Sequence, residues 1–119
     1  MFINLSNHSI ANWSAKQLDA SKQYGELINM QFPPINPCLT SKELDELVDI
    51  YFLKILEFGN PVVMIQGEFV FTYRLVKRLK DEGIMVLASC SERRVVEYIG
   101  RDGCTEKRSE FEFAGFRVY

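Results

Sequence analysis

The chain has 119 residues, of which 47% are hydrophobic and 25% charged, and its formal net charge is −2. That length suits one domain with a single core, and the apolar content excludes a disordered chain. An acidic balance does not provide the broad basic face that a long nucleic acid requires, so neither that partner nor a membrane is expected.

Phe2-Ile3-Asn4-Leu5 reads as an opening strand, and the polar stretch from Asn7 to Trp13 as the loop that leaves it. Ser14 with Gln17 three residues on forms a capping box, predicting a helix to about Tyr24 that Gly25 ends. Glu26 to Met30 is a short second strand. The prolines of Phe32-Pro33-Pro34-Ile35-Asn36-Pro37 exclude helix and inner strand there. Thr40 with Glu43 is a second capping box, and Leu44, Leu47, Val48, Tyr51, Ile55 and Phe58 then recur at helical spacing until Gly59-Asn60-Pro61.

Pro61 to Ile65 is a continuous apolar run, as in a parallel strand covered on both faces. Gly67-Glu68 opens a third helix, with Phe69, Val70, Tyr73, Val76 and Leu79 expected inward and Arg74, Lys77 and Lys80 outward; Gly83 is its C′ residue. Ile84 to Ala88 is a fourth strand. Val95–Ile99 and Phe111–Tyr119 are strand-like and flank Gly100-Arg101-Asp102-Gly103, which has hairpin chemistry. The order βαβαβαβ, followed by two strands, predicts a single compact α/β domain over residues 1–119, with a mostly parallel, Rossmann-like sheet and a C-terminal β-hairpin.

Three cysteines (Cys38, Cys90, Cys104), widely spaced and without a CxxC pair, suit a reducing cytoplasm and give neither a disulfide framework nor a metal-ligand spacing. No apolar stretch approaches the roughly 20 residues of a membrane span, and the first residues turn polar too early for a secretory leader. A cytoplasmic protein without metal or cofactor is the expectation.

The polar oddities fall where chemistry is done in such sheets. Ser6-Asn7-His8, Gln66-Gly67-Glu68 and Ser89-Cys90-Ser91-Glu92-Arg93-Arg94 each follow directly on a predicted strand, and loops at strand carboxyl ends line one crevice. His8 is the only histidine and suits acid–base work near neutrality, unless it is simply a loop residue bonded to backbone. Gly67 would let a ligand approach the backbone and the helix start would offer amides to an anion. Glu68 would touch a ribose or base, or else merely complement the helix dipole. All seven arginines lie after residue 70, and the fork of Arg93 or Arg94 suits phosphate. In an extended segment those two point oppositely, so at most one faces the pocket and the other pairs with an acid or a partner chain. Trp13, Phe32 and Tyr73 either stack on a base or belong to the core.

The opening Ile3-Asn4-Leu5-Ser6-Asn7-His8, the segment Gln66 to Tyr73 and Ser91-Glu92-Arg93-Arg94 are similar to blocks of small stand-alone ring nucleases of type III CRISPR systems. With its short α/β repeat, the chain resembles the CRISPR-associated Rossmann-fold (CARF) class. That resemblance implies a homodimer around a cyclic oligoadenylate, cleaved without metal to linear products bearing a 2′,3′-cyclic phosphate. It implies His8 as general acid or base and Arg93 or Arg94 as transition-state stabiliser. Ser6, Asn7 and Gln66 would position the ring, Ser91 would meet a phosphate, and Trp13, Gly67, Phe69, Tyr73, Ser89 and Glu92 would complete the ligand site. Other readings are a non-catalytic sensor or sponge for the same nucleotide, a small nucleoside-processing transferase or hydrolase using Glu68, and an interaction subunit with merely polar loops.

Overall fold

The computed structural model describes residues 1–119 as one α/β domain built on a five-stranded mixed sheet. The strands are β1 (Phe2–Ser6), β2 (Leu27–Gln31), β3 (Val62–Gln66), β4 (Val86–Ile99) and β5 (Thr105–Val118). The helices are α1 (Ala15–Ser21), α2 (Ser41–Leu56) and α3 (Phe69–Asp81), with 3-10 turns at Ile10–Asn12 and Lys22–Tyr24. Spatial order is β2-β1-β3-β4-β5; β1 to β4 run parallel and β5 is antiparallel to β4.

Alternation along β1 divides the core. Ile3 and Leu5 face α2 and α3 in the larger cluster with Val48, Ile55, Phe71 and Leu75, whereas Phe2 faces Trp13, Met64 and Leu87 in a smaller cluster under α1. The caps follow their chemistry. Thr40 and Glu43 form the reciprocal box that starts α2, the Thr40 hydroxyl accepting from the Glu43 amide at 3.1 Å and the Glu43 carboxylate from the Thr40 amide at 3.2 Å. Gly83, at φ +77°, takes the left-handed position after α3 that a side chain would disfavour.

Three expectations are corrected. The predicted strands at 84–88 and 95–99 are one strand, so Ser89 to Arg94 is not a loop but the middle of β4, paired residue for residue with β5 apart from an irregularity at Cys90/Ser91 that leaves Ala114 unpaired. The terminal hairpin is consequently much longer than expected. Finally, α3 buries Phe71, Thr72, Leu75, Val76 and Leu79, while Phe69 and Tyr73 are 89% and 69% exposed. The sequence carries two apolar stripes at helical spacing. Phe71 wins because its ring meets Phe32 and Tyr51 edge-on, with centroids at 5.2 and 5.6 Å.

Candidate functional site

At the carboxyl ends of β1 and β3 and beside the middle of β4, on the α1 side of the sheet, lies a cavity of about 380 Å³. Of the residues expected at a site, it is lined by Ser6, His8, Trp13, Gln66, Ser89 and Ser91. Asn12, Ser14, Gln17, Met64, Phe111 and Phe113 complete it. Two of the three polar segments therefore converge with a side chain from the third, Gln66, as the sheet topology requires.

The floor is a polar network under the His8 loop. Asn4, fully buried in mid-strand, donates from Nδ2 to the His8 carbonyl (2.8 Å) and to Asn29 Oδ1 (2.9 Å). Its Oδ1 accepts from Ser6 Oγ at 2.7 Å. Ser6 Oγ also lies 3.1 Å from the His8 carbonyl and accepts from the His8 amide at 3.2 Å. Asn29 Oδ1 receives the Ile10 amide at 3.3 Å. The backbone of His8 is thus held from several directions while its ring stands exposed in the cavity. Asn4 and Asn29 were missed by the motif reading, although an asparagine inside the apolar run Phe2-Ile3-Asn4-Leu5 is a legible sign of a buried polar contact.

Gln66 has a different occupation. Its Nε2 donates to the Ser89 carbonyl (3.0 Å) and its Oε1 accepts the Ser89 amide (3.2 Å), continuing the short β3–β4 pairing through a side chain. Trp13 is buried with its ring 6.1 Å from Phe2 and 6.2 Å from Phe116, and its indole Nε1 has no hydrogen-bond partner.

The remaining predicted residues lie elsewhere. Asn7 lines a neighbouring hollow with Asn29 and Gln31. Gly67 is required by packing: a Cβ there would sit 2.3 Å from Cζ of Phe32, a core residue and not a stacking platform. Glu68 caps α3, its carboxylate accepting the amides of Val70 (3.0 Å) and Phe71 (2.8 Å), so the helix start offers no anion site. Phe69 is outside the cavity, and Tyr73 lines a separate hollow on α3 with Lys77 and Lys80.

Arg93 and Arg94 point to opposite faces of the β4–β5 ribbon, and neither lines the cavity. Arg93 donates to Ser109 Oγ (2.8 and 3.1 Å); Arg94 pairs with Glu112 at 2.9 Å on the face that also carries Glu92. Arg94 thus meets an acid, as expected of one of the two, whereas Arg93 meets a serine hydroxyl. No lysine or arginine of the chain lines the cavity. No three His, Cys, Asp or Glu side chains assemble as a metal-ligand set, and no helix is long and apolar enough to cross a membrane.

The groups held away from their ordinary proton affinity lie outside the cavity. The Tyr119 hydroxyl is pushed up by burial, with a smaller contribution from Cys90, and donates to the Ile65 carbonyl at 2.6 Å. Tyr98 is raised mainly by its hydrogen bond with Glu110, and Asp102 lowered mainly by the backbone amide of Cys104.

Comparison with protein families matches residues 1–117 to a single family. The chain belongs to the uncharacterized protein MJ1673 family. The match to the MJ1673 family spans every residue that lines the cavity. No curated protein matches the chain.

Proposed function

We propose that the cavity receives one nucleotide unit of a cyclic oligoadenylate, and that the protein is a cytoplasmic, CARF-like ring nuclease that opens the ring without metal and silences type III CRISPR signalling. One observation carries this reading. The cavity beyond β1 and β3 holds a histidine whose backbone, not whose ring, is engaged, between aromatic walls and hydroxyl and amide groups. The exposed Phe111 offers a surface to a base, while Asn12, Gln17 and Ser91 offer polar contacts to ribose and phosphate oxygens. The parallel run of β1 to β4, with the cavity beyond β1 and β3, supports the Rossmann-like part of the reading, although β5 makes the sheet mixed.

In the reaction, a ribose 2′-oxygen attacks the adjacent phosphorus and the bond from phosphorus to the 5′-oxygen breaks. The 2′-hydroxyl proton passes to a base and the departing 5′-oxygen takes one up. His8 serves one of these transfers, and the pinned loop supplies in-line placement. A cavity of about 380 Å³ is near the small end for ligand sites and suits one nucleotide unit rather than a whole ring, which supports a homodimer around a symmetric ligand.

Binding without cleavage is the second reading, favoured by the absence of any lysine or arginine from the cavity wall, because a phosphorane-like transition state needs charge stabilisation. The transferase reading loses its nucleophile, since both Glu68 oxygens hold helix amides. The deciding experiment incubates the protein in EDTA with cyclic tri-, tetra- and hexa-adenylate and resolves products by chromatography and mass. Linear products with a cyclic phosphate, formed at least ~100-fold more slowly by His8→Ala, are expected. Intact rings with a raised melting temperature would establish the sponge; intact rings with no shift would sink the nucleotide reading.

A further inference from the structure

The loop that carries His8 has a second side. Asn7 and Ser9 flank His8 in sequence, but they line the neighbouring hollow with Asn29, Gln31 and Phe32, while the His8 ring stands in the cavity. Ser6, at the end of β1, lines both. The hollow measures about 390 Å³ and the cavity about 380 Å³, so one loop divides two spaces of nearly equal size. A ligand built of repeating units matches that division, with one unit on each side and the linkage crossing the loop at His8.

The lining of the hollow says which part of a unit it takes. No charged side chain is present and Phe32 is the one apolar wall; the rest is hydroxyl and carboxamide. Elsewhere at this end of the sheet the fold engages such amides, as it does both ends of Gln66. Gln31 is engaged only through its backbone carbonyl, which accepts from the Tyr51 hydroxyl at 3.4 Å, so its exposed side chain is unpartnered. Asn29 is half engaged. Its Oδ1 accepts from Asn4 Nδ2 at 2.9 Å and from the Ile10 amide at 3.3 Å, which uses both lone pairs and leaves Nδ2 as a fixed donor. Two residues apart on β2, Asn29 and Gln31 share one face of the sheet. A set donor therefore stands beside an amide that is able to accept.

A donor beside an acceptor is the pattern that reads adenine. Carboxamides donate to its ring nitrogen N7 and accept from its 6-amino group, whereas guanine presents two acceptors on that edge and is read by arginine or lysine, of which the hollow has none. We propose that the hollow is a base-reading subsite for adenine, in which Asn29 Nδ2 donates to a ring nitrogen and Gln31 Oε1 accepts from the 6-amino group. With one base seated there and the next unit in the cavity, the phosphodiester between them passes over His8. The inference deepens the nucleotide reading by naming what the protein recognises in its ligand, and it rests on that reading.

The test is base preference. Equilibrium dialysis compares radiolabelled cyclic adenylates of three, four and six units with their hypoxanthine counterparts, in which an oxygen replaces the 6-amino group. The wild type is used where rings stay intact and His8→Ala where they are cleaved. Adenine rings should bind at least ~10-fold more tightly than hypoxanthine rings. Gln31→Leu should bind the two alike, and Gln31→Glu should keep the preference, because a carboxylate also accepts from the amino group. Both variants should melt with the parent chain, since the Gln31 side chain bonds nothing within it. Absence of preference in the parent, a preference that survives Gln31→Leu, or one lost in Gln31→Glu would overturn the subsite while leaving ring binding and cleavage in place. Failure of every ring to bind the wild type would remove the nucleotide reading and the subsite with it.

Discussion

Asn4 is the residue on which the His8 loop depends, and replacing it tests that claim quantitatively. Asn4→Leu keeps the branching of the side chain and removes three hydrogen bonds: those from Nδ2 to the His8 carbonyl and to Asn29 Oδ1, and that from Ser6 Oγ to Oδ1. Each partner retains another contact, since Ser6 still reaches the His8 carbonyl and Asn29 still holds the Ile10 amide, so no group is orphaned. At about 0.7–1 kcal/mol net for each of the three bonds, with the apolar gain of the larger leucine offset by overpacking, the loss should be about 2–3 kcal/mol. A chain of this length has an unfolding entropy that makes each kcal/mol worth about 4 °C, so thermal melts should fall by about 8–12 °C. Asn4→Asp sharpens the argument. A carboxylate is an acceptor only, and two of the three bonds need a donor at this position, so a buried charge would face two acceptor oxygens. Its proton affinity would be raised in the folded state; the variant should therefore be least stable at neutral and higher pH and regain stability on acidification, whereas Asn4→Leu should show no such recovery. Circular dichroism melts at pH 7 and pH 5 separate the cases. If Asn4→Leu melted within about 2 °C of the wild type, the network would not be what holds the loop.

Gly67→Ala should destabilise by about 1–3 kcal/mol, because its Cβ meets the buried Phe32 ring; Phe32→Leu in the same chain should recover part of that loss in a double-mutant cycle, and additivity would refute the contact. Glu68→Ala should cost about 1–2 kcal/mol through the lost cap and leave the proposed ring cleavage, per folded molecule, unchanged; abolished turnover with intact stability would restore Glu68 as a reacting group. Tyr119 has a raised pKa, so its contribution to stability is fully present below the ordinary tyrosine value of 10.0 and is lost as pH rises through the higher folded value. Urea unfolding followed from pH 9 upward should decline less steeply for Tyr119→Phe, and parallel curves would show that the hydroxyl does not titrate with folding.

What could be read in advance was what local chemistry decides. The box of Thr40 and Glu43, the Gly83 stop and the continuous apolar run of β3 are specified by neighbours in sequence, and each occurs where its pattern lies. The face of α3 was not legible, because Phe69 and Tyr73 repeat at the same spacing as Phe71 and Leu75, and only the rings of Phe32 and Tyr51 choose between them. Nor was the continuity of β4. Ser89 to Arg94 is polar because both faces of the ribbon meet solvent there, and a strand exposed on both faces has the composition of a loop. What makes it a strand is the register with Glu110 to Phe116, some twenty residues further on.

The three polar segments that end β1, β3 and cross β4 share residue types, and what separates them is how much of their polarity the fold consumes. Gln66 spends both ends of its amide on the Ser89 backbone, Gly67 gives its space to Phe32, and Glu68 gives both oxygens to α3. In the ribbon, Arg93 and Arg94 are taken by Ser109 and Glu112. Only after β1 does the reverse hold: Asn4, Ser6 and Asn29 satisfy the loop from beneath, so the His8 ring is left free. A side chain that already completes a cap or a ladder has little freedom to reorganise around a ligand, whereas a ring held only by its backbone is placed without being occupied. By that criterion the β1 end of the cavity is where polar groups are placed without being occupied, and the cavity wall carries no lysine or arginine of its own.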